Sequence, residues 1–166
     1  MAFIKQGSNV LSFATYDDVA VTDLRLLAEN ESLTEDLVED ALVKATARIL
    51  DKISGSAWWK EYFKKRNPNT DILSIPAINP NLILRRQQTF TDLTVAIAMA
   101  EYALPSVADF SNESNAELVK MEFYRNRAVE LFTELIQAGD WYDYNNDKNI
   151  TAAEKQPSVY VQKRIR

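Results

Sequence analysis

Histidine and cysteine are both absent from this chain, and each absence removes a class of chemistry. Without cysteine there is no disulfide, no thiolate nucleophile and no Cys-based zinc site. Without histidine the commonest general base and the commonest transition-metal ligand are missing. Glycine occurs 3 times in 166 residues, and none of the three sits in a loop that could cradle a phosphate. An enzyme made from this sequence would have to work with carboxylates, lysine or tyrosine alone, so catalysis is not expected. No run reaches the roughly 18 apolar residues of a membrane span. The N-terminal MAFIKQGSNVLSF also lacks the continuous apolar run of a signal peptide. A soluble compartment with no membrane partner is the expectation.

What is present is ordinary globular composition, 46% hydrophobic and 26% charged, in a chain of single-domain length. The net charge of -5 argues against non-specific binding of nucleic acid by the surface as a whole. Charge is unevenly placed. Residues 157–166 hold Lys163, Arg164 and Arg166 with no acid, which leaves -8 on residues 1–156.

Apolar periodicity predicts a mainly α protein, a small helical bundle with a long helix hairpin in its C-terminal half and an extended C-terminal arm. The longest pattern is 114–138, where Leu118, Met121, Ala128, Leu131, Leu135 and Ile136 recur at helical spacings. Gly139 follows as a C-cap, and the rest of the chain is expected to be organised around this helix. A second helix runs from Thr34 or Glu35 to Ser54, with Val38, Leu42, Ala45, Ile49 and Ile53 as its apolar line. Thr89 or Thr91 caps a third, lined by Leu93, Ala96, Ile97, Ala100 and Leu104 and stopped by Pro105. The third and the longest helix form the antiparallel hairpin. Residues 1–14 read as an N-terminal arm, Thr15 caps a short helix, and Val21–Ala28 is a further short piece anchored by Leu24 and Leu27. The bundle domain then spans 15–139, with a Pro/Asn-rich loop at 67–81 that has room for a short extended segment at Asp71–Ile75.

Three stretches carry candidate chemistry. The segment 57–66, AWWKEYFKKR, holds four aromatic and five charged residues. It is either a short helix with Trp58, Tyr62 and Phe63 in the core, or a basic-aromatic surface presenting Trp58 and Trp59 to nucleic acid or to a partner protein, with protein the better match to the acidic total. At the C-terminus, 140–166 begins with an acidic-aromatic turn and ends in SVYVQKRIR. There Val159, Val161 and Ile165 alternate with Tyr160, Lys163, Arg164 and Arg166. This is either an edge strand of its own domain, a disordered end, or an arm that adds a strand to another subunit. Third, 143–154 places Asp143, Asn145, Asp147, Asn149 and Glu154 at positions 1, 3, 5, 7 and 12 of a calcium-loop spacing. Lys148 stands where such loops have glycine, so an Asn/Asp-rich turn is the competing reading and no other cofactor is indicated.

Taken in order, FATYDDVAVTDLRLL, LTEDLVEDALVKATARILDKI, DLTVAIAMAEYAL and YRNRAVELFTELIQAGD resemble the head-to-tail connector proteins of tailed bacteriophages, the adaptor or head-completion proteins beneath the portal. The resemblance covers residues 12–139. In the family an Arg-x-x-Ala-x-x-Leu run precedes the closing Gly; here Arg125 fits it better than Arg127. The Trp-Trp segment and the Pro/Asn-rich insertion lie outside its pattern. It implies a non-enzymatic structural protein of the virion neck, assembled in the bacterial host cytoplasm. Its partners would be its own copies in a twelve-fold ring, the portal protein, and a tail or stopper protein. DNA would pass through the channel without specific binding. The residues alone allow a different class as well, a small cytoplasmic protein-binding helical module.

Overall fold

Three of the described α-helices begin where a side-chain oxygen satisfies one of their first unpaired N–H groups. The computed structural model describes residues 3–23, 33–111 and 116–156. Helix α1 (Tyr16–Thr22) opens on a reciprocal box: Thr15 Oγ1 accepts from Asp18 N, and Asp18 accepts from Thr15 N at 2.8 Å. Helix α2 (Glu35–Gly55) is capped by Thr34, and Glu35 and Asp36 in its first turn complement the helix dipole. Ser56 serves two helices at once. Its Oγ donates to Ile53 O at the end of α2 and accepts from Trp59 N at the start of α3 (Ala57–Arg66). The piece expected at Val21–Ala28 lies mostly outside the described residues, Leu24 and Leu27 included.

Helix α4 (Gln87–Ala98) starts differently from the expected threonine cap. Arg86 precedes it in the left-handed region, φ 54, with no side-chain cap bond. Thr91 is buried four residues inside the helix. The helix continues through one wide π turn (Met99–Ala103) into a last α turn (Leu104–Val107). Pro105 accounts for the widening: it has no N–H, and its ring would strike the carbonyl of Glu101 in a regular helix. Leu104 N instead reaches back to Met99 O. The proline therefore bends the helix out of register before ending it, with Ala108 N closing on Leu104 O.

Around α4 the core is laid. It packs against α2 on one side and α5 (Ala116–Ala138) on the other. Phe90, Thr91, Leu93 to Ala100, Ala103 and Leu104 are all buried, so from Leu93 to Ala100 the helix is covered on every face, while Gln88 and Asp92 in its first turns are exposed. Each large apolar side chain so enclosed contributes about 1.5–3 kcal/mol. The long α5, expected to organise the molecule, is peripheral by comparison. Only Tyr124, Leu131 and Leu135 are buried along it, while Met121, Ala128 and Ile136 pack half-buried on the same side.

The described part of the expected N-terminal arm forms a docked hairpin. Strand β1 (Ile4–Gln6) pairs antiparallel with β2 (Asn9–Ser12) through a turn at Gly7, φ +64. Its rings hold it down: Phe3 lies 4.5 Å from Phe13, and Phe13 5.2 Å from Phe90 of α4. Two buried threonines fasten the backbone of Phe13. Thr46 of α2 accepts its N–H at 3.1 Å, and Thr91 of α4 donates to its C=O at 2.7 Å.

Candidate assembly surfaces

Trp58 and Trp59 are core residues, 6% and 2% exposed. The expectation that they present a partner surface is therefore not met. Trp58 stacks on Tyr62 at 5.0 Å and on Trp141 at 4.9 Å, and Trp59 meets Tyr142 edge-on at 5.1 Å. All three indole N–H groups end on backbone carbonyls: Trp58 on Gln156, Trp59 on Pro76 and Trp141 on Leu135. Adjacent helix residues point about 100° apart, so two neighbouring tryptophans are both buried only if something wraps around the helix. Here the Pro/Asn-rich loop does so; at Asp71–Ile75, where a short extended segment had been expected, it makes the 3-10 turn Ile72–Ser74, and a second such turn follows at Pro80–Leu82. Burial pushes the Tyr62 hydroxyl up beyond the usual tyrosine range, and the Tyr142 hydroxyl up to about 12.

The segment after α5 is threaded into this aromatic block. Gly139 caps the helix with φ 53, its N–H reaching Leu135 O. Arg86 Nε lies 2.5 Å from Asp140 Oδ1, and that guanidinium holds the Asp140 carboxyl below the usual carboxylate range. Residues 141–143 then run beside 82–84: Leu84 N donates to Trp141 O, and Asp143 N to Leu82 O.

In the 143–154 loop, the carboxylates at both ends are occupied by the loop's own N–H groups. Asp143 accepts from Asn146 N and Lys148 N, each at 2.8 Å. Glu154 accepts from Tyr144 N, Asn145 N, Thr151 N and the Thr151 hydroxyl. Burial alone would raise the Glu154 carboxyl, but those hydrogen bonds outweigh it and hold it below its usual range. Asn145 and Asp147 brace the turn through Asp147 N and Asn149 N. Lys148 takes the positive φ, 65, that glycine would otherwise supply. Among the described residues no group of three or more His, Cys, Asp or Glu side chains is placed to hold a metal ion.

Arg66 clamps this loop to α3, a role the sequence pattern had assigned to no one. Its guanidinium lies 3.7 Å from the Tyr62 ring and donates to the carbonyls of Tyr62 and Ala153. Of the arm residues named above, Val159, Tyr160, Val161, Lys163, Arg164, Ile165 and Arg166 lie outside the described residues. The chain before them ends at Gln156, whose N–H donates to Gly139 O and whose C=O accepts from Trp58. Gln156 thus lies beside Gly139, at the C-terminal end of α5.

Two surface features remain. On α5, Val119, Phe123 and Val129 are 66%, 63% and 60% exposed. On α2 and α3, residues 44–66 carry seven basic and two acidic side chains, whereas 35–43 carry four acids and no base. The spacing of Lys44, Arg48 and Lys52 by four was legible in the sequence as one helix flank. No protein-family model, no curated protein and no solved structure matches this chain. Among the described residues no helix is long and apolar enough to cross a membrane.

Proposed function

We propose that this protein is a structural subunit of a phage neck, a head-to-tail connector that repeats in a ring beneath the portal. In this reading it catalyses nothing and needs no cofactor. The observation that carries the reading is α5: a helix of 23 residues with three buried and three large apolar side chains at least 60% exposed. Apolar side chains that adjoin on an exposed surface suit contact with another molecule, and Val119 and Phe123 adjoin one turn apart on α5. The sequence resemblance and the basic, alternating Val159–Arg166 arm support the same reading. Its sequence carries charge opposite to the acidic remainder, which suits insertion along a portal or an adjacent subunit. An acidic channel lining would let DNA slide past without exchanging counterions.

The test is a truncation ending at Gln156, combined with portal rings in electron microscopy. The full chain is expected to decorate the portal and the truncated chain to leave it bare, with thermal stability nearly unchanged. If the full chain never joins a portal, or if loss of the arm melts the domain, the reading fails. A stable complex with a cytoplasmic protein in place of the portal would favour the binding-module alternative.

A further inference from the structure

The Pro/Asn-rich loop covers the tryptophans with its limbs, while its tip faces outward. Leu73 is 92% exposed and Ile72 55% exposed, side by side in the 3-10 turn Ile72–Ser74. The limbs are fixed on both sides of that turn. Asn67 N donates to Phe63 O before it; after it, Pro76 O accepts from Trp59 Nε1 and Ser54 Oγ accepts from Ile78 N. Pro68 and Pro76 also hold their own φ at about -65°. The tip is therefore presented to water, with two large aliphatic side chains left unburied. Beside them Asp71 caps nothing and makes no ion pair among the described residues.

A groove of matching character lies beside the N-terminal hairpin. Phe3 and Val10 of the hairpin and Pro80, Ile83 and Leu84 of the chain leading into α4 line about 370 Å3 of space, and Lys5 is its one charged side chain. Lys5 is exposed and likewise has no ion pair among the described residues. Other grooves carry both signs of charge: Asp92 and Arg127 lie between α4 and α5, and Lys44, Asp51 and Asp40 lie along α2.

We infer that the loop tip of one copy docks in the hairpin groove of a second copy, with Ile72 and Leu73 on its apolar lining and Asp71 against Lys5. Complementarity selects the occupant: an unpaired acid followed by two exposed aliphatic residues matches an apolar groove that holds one unpaired base. At 92% exposure Leu73 fills no groove of its own chain. Each copy offers one tip and one groove, so a copy that receives a tip passes its own onward, the repeat from which closed rings are built. The inference rests on the connector reading only in continuing this contact round a ring.

A chain without cysteine lets cross-linking test the contact. Single variants Leu73→Cys and Val10→Cys, one of them tagged so that mixed pairs are resolved by mass, are combined under mild oxidation. Their mixed disulfide is expected to form at least about tenfold faster than that of Val10→Cys with Val21→Cys, a site 88% exposed on α1. Analytical ultracentrifugation gives a second measure, with circular dichroism to check each fold. Leu73→Asp should raise the apparent Kd of self-association at least about tenfold. Lys5→Asp should also weaken it, and adding Asp71→Lys to Lys5→Asp should restore it. Equal cross-linking in the two mixtures, or self-association that Leu73→Asp leaves unchanged, overturns this contact and leaves the connector reading standing. A parent that stays monomeric at about 0.5 mM and shows no preferred cross-link overturns it too; portal decoration then decides the connector reading separately. If Leu73→Asp leaves the portal bare while self-association is unchanged, the partner of the tip is the portal and not a second copy.

Discussion

Replacing Thr91 by valine tests how the N-terminal hairpin is held. The substitution keeps the β-branched shape in a side chain only 3% exposed, so it makes no cavity and leaves helix preference nearly unchanged. It does remove the hydroxyl that donates to Phe13 O at 2.7 Å. That carbonyl is then buried with no donor, at a cost of about 1–3 kcal/mol. For a chain of this size each kcal/mol lowers Tm by about 2–4 °C, so the expected loss is about 2–12 °C. Thr94 is the internal control. It is equally buried, but its hydroxyl bonds only Phe90 O, a carbonyl that the helix already satisfies. Thr94→Val should therefore stay within about 0.5 kcal/mol of the parent. Thermal and urea melts of both variants give the comparison. Equal losses, or none at Thr91, would refute the claim that Phe13 is tethered through this bond. Thr46→Val, which orphans the Phe13 N–H, should behave like Thr91→Val. The double variant should cost less than the sum, because a hairpin freed at one tether can rehydrate the other group.

Asp140→Asn should lower Tm by a constant amount at neutral pH. Arg86 depresses the Asp140 carboxyl in the folded state, so its contribution is fully present above the usual carboxylate pKa and vanishes as pH falls through the depressed value. The gap to the parent should therefore shrink below about pH 4, and a gap that widens on acidification would be contrary. Burial raises Tyr124 and Tyr142 to about 12. A spectrophotometric titration should show these phenols ionising late, with stability falling as pH climbs above about 10; ionisation of all seven tyrosines together near 10 would contradict their burial. Chelation with EDTA should leave Tm unchanged, since the Asp143 and Glu154 carboxylates are braced by backbone N–H groups. A Tm rise with millimolar calcium that Asp143→Ala abolishes would instead assign the loop a metal.

Local chemistry made several features legible before any coordinates. Thr15, Thr34 and Gly139 each mark a helix end because a cap is made within about four residues of chain. The apolar line of α2 is buried along its whole length, from Val38 to Ile53. Where a remote contact decided, the pattern misled. Thr91 looks like a cap by residue type, yet its hydroxyl serves Phe13, 78 residues away. Phe3 and Phe13 gave no periodic signal, because a hairpin this short is made by its docking and not by its own strands.

The sequence by itself determined where most helices start and stop, which side of each is apolar, and that the C-terminal end is basic on an acidic chain. These are properties of neighbouring residues, fixed by hydrogen-bond reach and by the 3.6-residue turn. Only the tertiary structure decided which apolar sides are covered. It enclosed Trp58 and Trp59 beneath a loop and the 141–144 segment, and it centred the core on α4. It also left Val119, Phe123 and Val129 of the longest helix facing outward. Burial depends on what arrives from far along the chain, and no local spacing encodes that arrival.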